Sequence, residues 1–453
     1  MAIQDFFRGK SVVPDPQTQA EEPAGLYQSH VVSWNLTQRC NLKCEHCYIE
    51  GGPIGKAMLA GEMNTEQCFT TIDQLAEVNP NALVIFTGGE PLLRRDVFEI
   101  VAYANSKGLW CVMGTNGVLI TEKLVDRMIE SGIKGVSLSL DALDAEVHDA
   151  FRRVKGAFDN TVRGSQILKA KGLPFIIQTT IGIHNLEEID QIARMAYSLG
   201  AHVFNLFFLV PTGRGTFVSD IRPEEYEEAL ESMMAIQKEF DGRMLINAKC
   251  APHYQRALYG KEPDSKFLKS FSSGAGGCPA GTHYVGIRPD GNVTPCPYLP
   301  LYGGNLKQTS FKEIWEDSDL FRNIRARKDL GGRCGSCEFS TSCGGCRARA
   351  YGNGGDLMSE DPWCVYEPGR YGGQPVSFES SNYFYGQQVG ESELVWQPAA
   401  SERLQGIPSF VRGMVSKRVE AYAREHGHAE VTEDLMDQLR EKMGHRFGRK
   451  FRR

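Results

Sequence analysis

The residues best suited to do chemistry lie in one short stretch, Cys40-Asn-Leu-Lys-Cys44-Glu-His-Cys47. Its three cysteines have three and then two residues between them. A thiolate is a soft ligand, and sets of cysteines hold zinc or iron–sulfur clusters. A four-iron cluster held by three cysteines keeps one iron open, where a substrate or cofactor can bind directly. The competing reading is a zinc knuckle that takes His46 as its fourth ligand. The C-x3-C-x2-C spacing is unusual for zinc knuckles, and His46 sits directly beside Cys47, so the cluster reading is preferred.

A second constellation follows. It comprises Cys278, Cys296, Cys334, Cys337, Cys343, Cys346 and Cys364, seven cysteines in about ninety residues, most with glycine nearby. Zinc held by Cys334, Cys337, Cys343 and Cys346 is chemically reasonable. The two groups use ten of the thirteen cysteines in the chain. Cys68 lies in an amphipathic segment and Cys111 in an apolar run, and both are expected in the core. Cys250 is a buried structural thiol, a cluster ligand or neither.

The chain has 453 residues, 41% hydrophobic and 23% charged, with a net charge of −6. These values describe a globular protein of two or three domains and exclude a global nucleic-acid signature. No run of eighteen apolar residues is present, so membrane insertion is not expected. The first residues lack the charged and apolar regions of a secretory signal. The expectation is a cytoplasmic protein, where cysteines serve as metal ligands rather than disulfides.

The elements that must position these cysteines are short apolar runs alternating with helical patterns. Strands are expected at 31–36, 82–87, 109–114, 135–140, 174–181 and 202–209. Amphipathic segments lie near 64–78, 94–107, 121–131, 159–171 and 185–199. Gly108, Gly132 and Gly172 stand where helices end. Six β-α units in a row predict a parallel α/β sheet with right-handed crossovers. Polar residues cluster where strands should end. They are Gly88-Gly89-Glu90-Pro91 after the second, Asn116 after the third, Ser139 and Asp141 after the fourth, and Val210 to Arg214 after the sixth. These are either ligand contacts or tight turns and helix caps. Arg214 is either a binder of a substrate acid group or a surface arginine, and His253 is a proton donor or a structural histidine.

C-x3-C-x-aromatic-C, with His46 in the aromatic slot, resembles the radical S-adenosylmethionine (SAM) superfamily. The resemblance implies a partial (βα)6 TIM-like barrel with its chemistry at the C-terminal ends of the strands. It implies a [4Fe-4S] cluster on Cys40, Cys44 and Cys47, with SAM chelating the open iron. One electron then cleaves SAM, and the resulting 5′-deoxyadenosyl radical takes a substrate hydrogen; the cofactor carries the hard chemistry. By the same resemblance Gly88, Gly89, Glu90 and Pro91 receive the SAM amino group. Asn116, Ser139 and Asp141 meet its ribose or carboxylate, Arg152 pairs with the carboxylate, and Val210 packs on adenine. A flavodoxin- or ferredoxin-type electron donor is implied.

The second constellation resembles the SPASM extension of such enzymes, which holds auxiliary four-iron clusters. Carried over by position, Cys278, Cys296 and Cys346 hold one, and Cys334, Cys337, Cys343 and Cys364 the other. The fourth ligand of the first is open between Cys250, a non-cysteine side chain and an open site facing substrate. The pattern departs at Cys343-x2-Cys346, where many members have three intervening residues, so one or two auxiliary clusters are expected.

Four strings are similar to the tetrapyrrole-modifying branch: 32–40, 209–215, Lys249-Cys-Ala-Pro-His253 and Cys343-Gly-Gly-Cys-Arg-Ala-Arg-Ala-Tyr351. That branch acts on siroheme-derived haem and haem d1 precursors, removing propionate or acetate side chains, and so implies a tetrapyrrole substrate. The alternatives are oxidation of a chlorophyllide ring substituent, a SPASM peptide maturase and a plain iron–sulfur electron carrier. The lead-in before the first strand is short for a peptide-recognition domain, and Gly88–Pro91 argues against a plain carrier.

The expected organisation is a lead-in (1–30), the barrel (31–240), the SPASM-type domain (241–368), a Gly/Ser/Gln/Tyr-rich linker (369–393) and a helical module (394–453). The module opens a helix at Pro408 and caps another at Thr432. Trp396-Gln-Pro-Ala-Ala and 403–412 resemble the small C-terminal domain of the light-independent protochlorophyllide reductase B subunit, which suits a flat macrocycle. The tail, 445–453, carries five basic residues and no acidic ones.

Overall fold

The computed structural model describes residues 29–53, 59–218, 221–269, 277–376, 394–407 and 409–444. Most of the lead-in and linker, Pro408 and the basic tail lie outside these residues.

Seven parallel strands follow one another across the barrel: β1 Val31–Asn35, β2 Leu83–Thr87, β3 Trp110–Thr115, β4 Val136–Ser139, β5 Phe175–Ile181, β6 Val203–Phe208 and β7 Leu245–Lys249. The helices between them are α1 Thr65–Val78, α2 Val97–Ser106, α3 Glu122–Ser131, α4 Ala145–Arg152, α5 Ala157–Lys171, α6 Ile189–Leu199 and α7 Pro223–Glu239. Their ends follow local chemistry. Asn64 and Gln67 form a capping box on α1, and Gly132 ends α3 in the left-handed region at φ 95°.

Six strands were expected and a seventh is present. β7, Leu-Ile-Asn-Ala-Lys, has too few apolar residues to announce itself, but pairs in register with β6 from Val203↔Leu245 to Phe207↔Lys249. The sheet therefore runs past residue 240 without a break. After α8 (His253–Lys261), β8 (Tyr284–Ile287) returns to pair parallel with β1, and a hairpin adds β9 (Asn292–Thr294) and β10 (Gly304–Asn305). The strand order is β10-β9-β8-β1-β2-β3-β4-β5-β6-β7, so barrel and cysteine-rich region share one open sheet. The seam lies between the β7 and β8 sides.

The two faces of that sheet differ. Val32, Trp34, Val84, Phe86, Met113, Phe204 and Leu206 are fully buried in the main core. The alternate positions carry Ser33, Asn35, Thr87, Ser137, Ser139, Gln178, Thr180, Asn205 and Asn247. A parallel sheet buried on both faces normally reads as a continuous apolar run. Leu83, Ile85, Val112, Ile176 and Phe207 share that face, so it interleaves polar and apolar side chains rather than forming a second apolar layer.

The C-terminal module pairs β11 (Val395–Trp396) with β12 (Glu430–Val431) and packs helices Pro398–Gln405, Ser409–Glu425 and Glu433–Gly444 around Ala400, Val419, Ala423, Val431 and Leu435. Thr432 Oγ1 accepts the Leu435 N–H at 3.2 Å, capping the last helix. With its amide turned to satisfy both neighbours, Asn81 donates to Gln405 O and accepts from Arg412 at 2.9 Å. Asn81 precedes β2, so this contact is at the N-terminal ends of the strands. No described helix is long and apolar enough to cross a membrane.

Candidate functional site

The cysteine loop leaves β1 at its C-terminal end and is held from several sides. Thr37 Oγ1 and the Gln38 N–H donate to Glu62, at 2.9 and 2.7 Å. Arg94 donates to Leu36 O, and Arg214 donates to Cys44 O at 2.8 Å and Gly51 O at 2.9 Å. Arg214 thus braces the loop and is committed there, not free for a substrate acid.

Each of the three sulfurs accepts N–H donors. Cys40 receives the Leu42 N–H at 3.3 Å and the Asn116 amide at 3.8 Å. Cys47 receives the Gly51 N–H at 3.3 Å, and Cys44 receives Arg152 at 3.6 Å. Such donors favour sulfur that carries charge, as in a metal-bound thiolate. Burial pushes the Cys40 thiol up to about 12 and that of Cys44 upward, a bias that a bound metal reverses. Thiolates around one zinc, 2.3 Å from the metal, must lie within about 4 Å of one another. Among the described residues no three Cys, His, Asp or Glu side chains offer a single-ion site.

The turn after β2 lies against this loop. The Gly89 N–H bonds Thr37 O at 2.7 Å, and the Glu90 N–H bonds Arg39 O at 2.8 Å. Gly88 adopts φ 143°, and a Cβ on Gly89 would collide with Arg39 O. The glycines are required for that approach, and Pro91 opens the short 3-10 turn that follows. Glu90 is wholly buried. It accepts from Thr115 Oγ1 and the Asn116 N–H at 2.9 Å and from the Leu92 N–H at 3.2 Å. Burial lifts its carboxyl to about 7 despite these bonds.

Asp141 and Arg152 are brought together beneath the loop, joined through Arg152 Nε at 2.6 Å. Asp141 also accepts the Thr180 N–H at 2.8 Å. Burial opposes its charge, but Arg152, His46 and His148 outweigh it and hold the carboxyl at about 2. The pair is enclosed and braces Cys44. Ser139, at the end of β4, is partly exposed on the inner face. Val210, expected at adenine, is only 2% exposed and packs among Cys278, Cys296, Cys346 and Leu299, because the chain turns there toward the cysteine-rich region.

The later cysteines fall into two groups. Cys334, Cys337, Cys343 and Cys364 line one small, partly open cavity together with His253, Arg256 and Asp361. Cys278, Cys296 and Cys346 share an apolar cluster, and Cys250 packs against it. Cys250 has φ 57°, outside the strand conformation of β7. Its carbonyl accepts Arg349 at 2.8 Å, Arg349 pairs with Asp361, and Asp361 accepts the Cys346 N–H at 2.7 Å. Sequence reasoning missed this bracket; the Arg-Ala-Arg run after Cys346 was its one visible trace. None of the thirteen cysteines forms a disulfide, and Cys68 and Cys111 lie in the core as expected.

Tyr48 and Tyr298 were also missed. Tyr48 follows Cys47, donates to Asn35 Oδ1 at 2.7 Å and lies against Tyr298, two residues beyond Cys296.

A three-cysteine loop at the mouth of such a barrel, followed by a cysteine-rich extension of the same sheet, is the architecture of a radical SAM enzyme with a SPASM domain. A profile of the radical SAM superfamily matches residues 34–196, and one of the SPASM iron–sulfur cluster-binding domain matches 278–338. A third, of the proto-chlorophyllide reductase 57 kD subunit, matches 396–440. The AdoMet-dependent heme synthase of Methanosarcina barkeri is 40% identical over 345 residues, 75% of this chain and 97% of that one. The mycofactocin maturase MftC of Mycobacterium tuberculosis is 33% identical over 359 residues, 78% of this chain and 87% of that one. The crystal structure of Streptococcus suis SuiB bound to S-adenosylmethionine shares the fold, with TM-score 0.60 and 17% identity over 75% of this chain and 78% of that one. The chain belongs to the radical SAM family of heme-synthesis enzymes.

Proposed function

We propose that this enzyme modifies a peripheral side chain of a siroheme-derived tetrapyrrole, by removing part of a propionate or acetate. The observation that carries this reading is the run of polar side chains on the inner face of the barrel, bounded at its mouth by the cysteine loop and by the contact of Tyr48 with Tyr298. It is supported by the likeness to a heme synthase.

In this reading Cys40, Cys44 and Cys47 hold the catalytic cluster. The half-buried turn of Gly88 and Gly89 with Glu90 and Pro91 forms the cradle for the SAM amino group. Asn116 and Ser139 lie along the same rim, and Asp141 with Arg152 fixes Cys44 from below. A bound cluster and SAM supply a carbon-centred radical able to take a hydrogen atom. The surrounding chain orients the macrocycle and excludes water. Cys278, Cys296, Cys346 and Cys250 make one auxiliary set, and Cys334, Cys337, Cys343 and Cys364 the other. Complete sets of four thiolates suit electron relay, with a ferredoxin- or flavodoxin-type protein as donor.

The test is anaerobic reconstitution, then turnover with dithionite and siroheme-type, haem-type and chlorophyllide substrates. The readout is 5′-deoxyadenosine together with the mass change of the macrocycle. Loss of a side-chain fragment supports the reading. SAM cleavage answered only by a peptide would favour the maturase reading that the MftC likeness supports. Oxidation of a chlorophyllide would favour the reading supported by the C-terminal match.

A further inference from the structure

Two cations stand on either side of the barrel seam without a partner among the described residues. Lys249 is the last residue of β7 and pairs in register with Phe207. The alternation along that strand is fixed by Asn247, whose amide donates to Asn205 at 3.0 Å, while Ile246 points into the core. Lys249 therefore shares the inner face with Asn247. Arg288 directly follows β8, in alternation with Tyr284 and Gly286, while Val285 and Ile287 are fully buried in the core. A Cβ on Gly286 would meet Thr294 and Pro297, so that face looks toward the loop carrying Cys296. Both side chains are partly buried. Neither makes an ion pair or a side-chain hydrogen bond among the described residues.

What lies between them is aromatic. Tyr48 and Tyr298 have ring centroids 4.8 Å apart. Tyr48 reaches Asn35, which follows Trp34, and Trp34 pairs in register with Ile287, the residue before Arg288; Tyr298 and Cys250, next to Lys249, pack against the same apolar cluster. A partly desolvated cation without a counter-ion is costly, and its retention on the inner face of the barrel marks a place for an anion. An arginine presents a planar fork to a carboxylate, a lysine a point charge. A flat aromatic body with carboxylates at its edge matches cations at two edges and tyrosine rings between.

We propose that Lys249 and Arg288 bind peripheral carboxylates of the substrate, one from each side of the seam. This rests on the tetrapyrrole reading and deepens it. The competing role for Lys249 is to balance the charge of a cluster bound beside it at Cys250. Arg288 is remote from Cys250 in sequence and on another strand, so the two roles can be separated.

The experiment uses full-length, anaerobically reconstituted protein with unchanged iron content in every variant. Equilibrium binding is measured for coproporphyrin III, which carries four propionates, and for its tetramethyl ester. K249Q and R288Q should each weaken binding of the acid at least tenfold and leave the ester within twofold, and K249R should restore the acid. Equal affinities for the acid in wild type and variants overturn the proposal. So does a variant whose only change is a shifted cluster reduction potential. If the wild type binds neither porphyrin, the tetrapyrrole reading itself falls and the clamp with it, an outcome distinct from the first.

Discussion

Tyr48 lies against Tyr298, ring centroids 4.8 Å apart and planes at 55°. One residue follows Cys47 and the other stands two beyond Cys296, so this contact joins the catalytic loop to the auxiliary region. Y298A opens that junction. It should raise the ratio of 5′-deoxyadenosine formed to macrocycle converted, as substrate is held less firmly, while iron content stays constant. Y48F keeps the ring and loses only the bond to Asn35. It should cost about 1 kcal/mol of stability and leave that ratio unchanged.

Asp141 and Arg152 are a buried pair whose partner bonds reach Cys44. D141N leaves the guanidinium uncompensated, which costs about 3–5 kcal/mol. The expected result is a lower denaturant midpoint and poorer iron retention, and R152K alone should lose part of the same support because lysine lacks the fork that reaches both Asp141 and Cys44. The Asp141 carboxyl, at about 2, sits below its unfolded value. Its stabilisation is therefore present above pH about 4 and lost as pH falls through about 2. Acid unfolding of wild type and D141N should converge in that window.

Glu90 has the opposite sign. Its folded carboxyl, at about 7, lies above the unfolded value of 4.5. The native state holds the extra proton between those values, so stability falls as pH rises through this range, by about 3 kcal/mol at full ionisation. E90Q removes the titration. Denaturation series at pH 5 and pH 8 should show wild type losing stability relative to E90Q, and parallel curves would refute it. The carboxylate form is also the one that would meet an ammonium, so SAM affinity should fall below pH 7.

These sites were unevenly legible in the sequence. Cys40, Cys44, Cys47 and Gly88–Pro91 announce themselves because ligand spacing and a turn that only glycine can make are local properties. The first six strands were legible for the same reason, through β-branched and aromatic runs. β7 was not, since Asn247 and Lys249 face the barrel interior and only Ile246 and Ala248 pack on the core, too few apolar positions to leave a strand signature. Nor were α4 and α7, whose polar first turns mask the buried residues Phe151, Tyr226 and Met233. Arg214 and Val210 were legible as residues of interest but not as to role, because partners such as Gly51, far off in sequence, decide it.

The partition of the later cysteines can be counted. C334A/C337A should remove about four irons per chain, as should C278A/C296A, with each pair leaving the other set intact. C250S should change the EPR signature of the first auxiliary set alone. C68A and C111A, in the core, should lose no iron. Iron analysis with EPR decides it, and loss of both sets from either double variant would show one shared site.

The C-terminal module meets the barrel at Asn81, ahead of β2, whereas the cysteine loop leaves β1 at the other end. A segment docked at the N-terminal ends of the strands is far from chemistry at the C-terminal ends. It also has its own small core around Ala400, Val419 and Val431. Ending the chain at residue 393 should therefore leave iron content, SAM cleavage and porphyrin affinity within about twofold. The change should appear instead in stability, because R412A removes a hydrogen bond worth about 1 kcal/mol at the junction with Asn81. Loss of porphyrin binding on truncation would show that the module reaches the substrate.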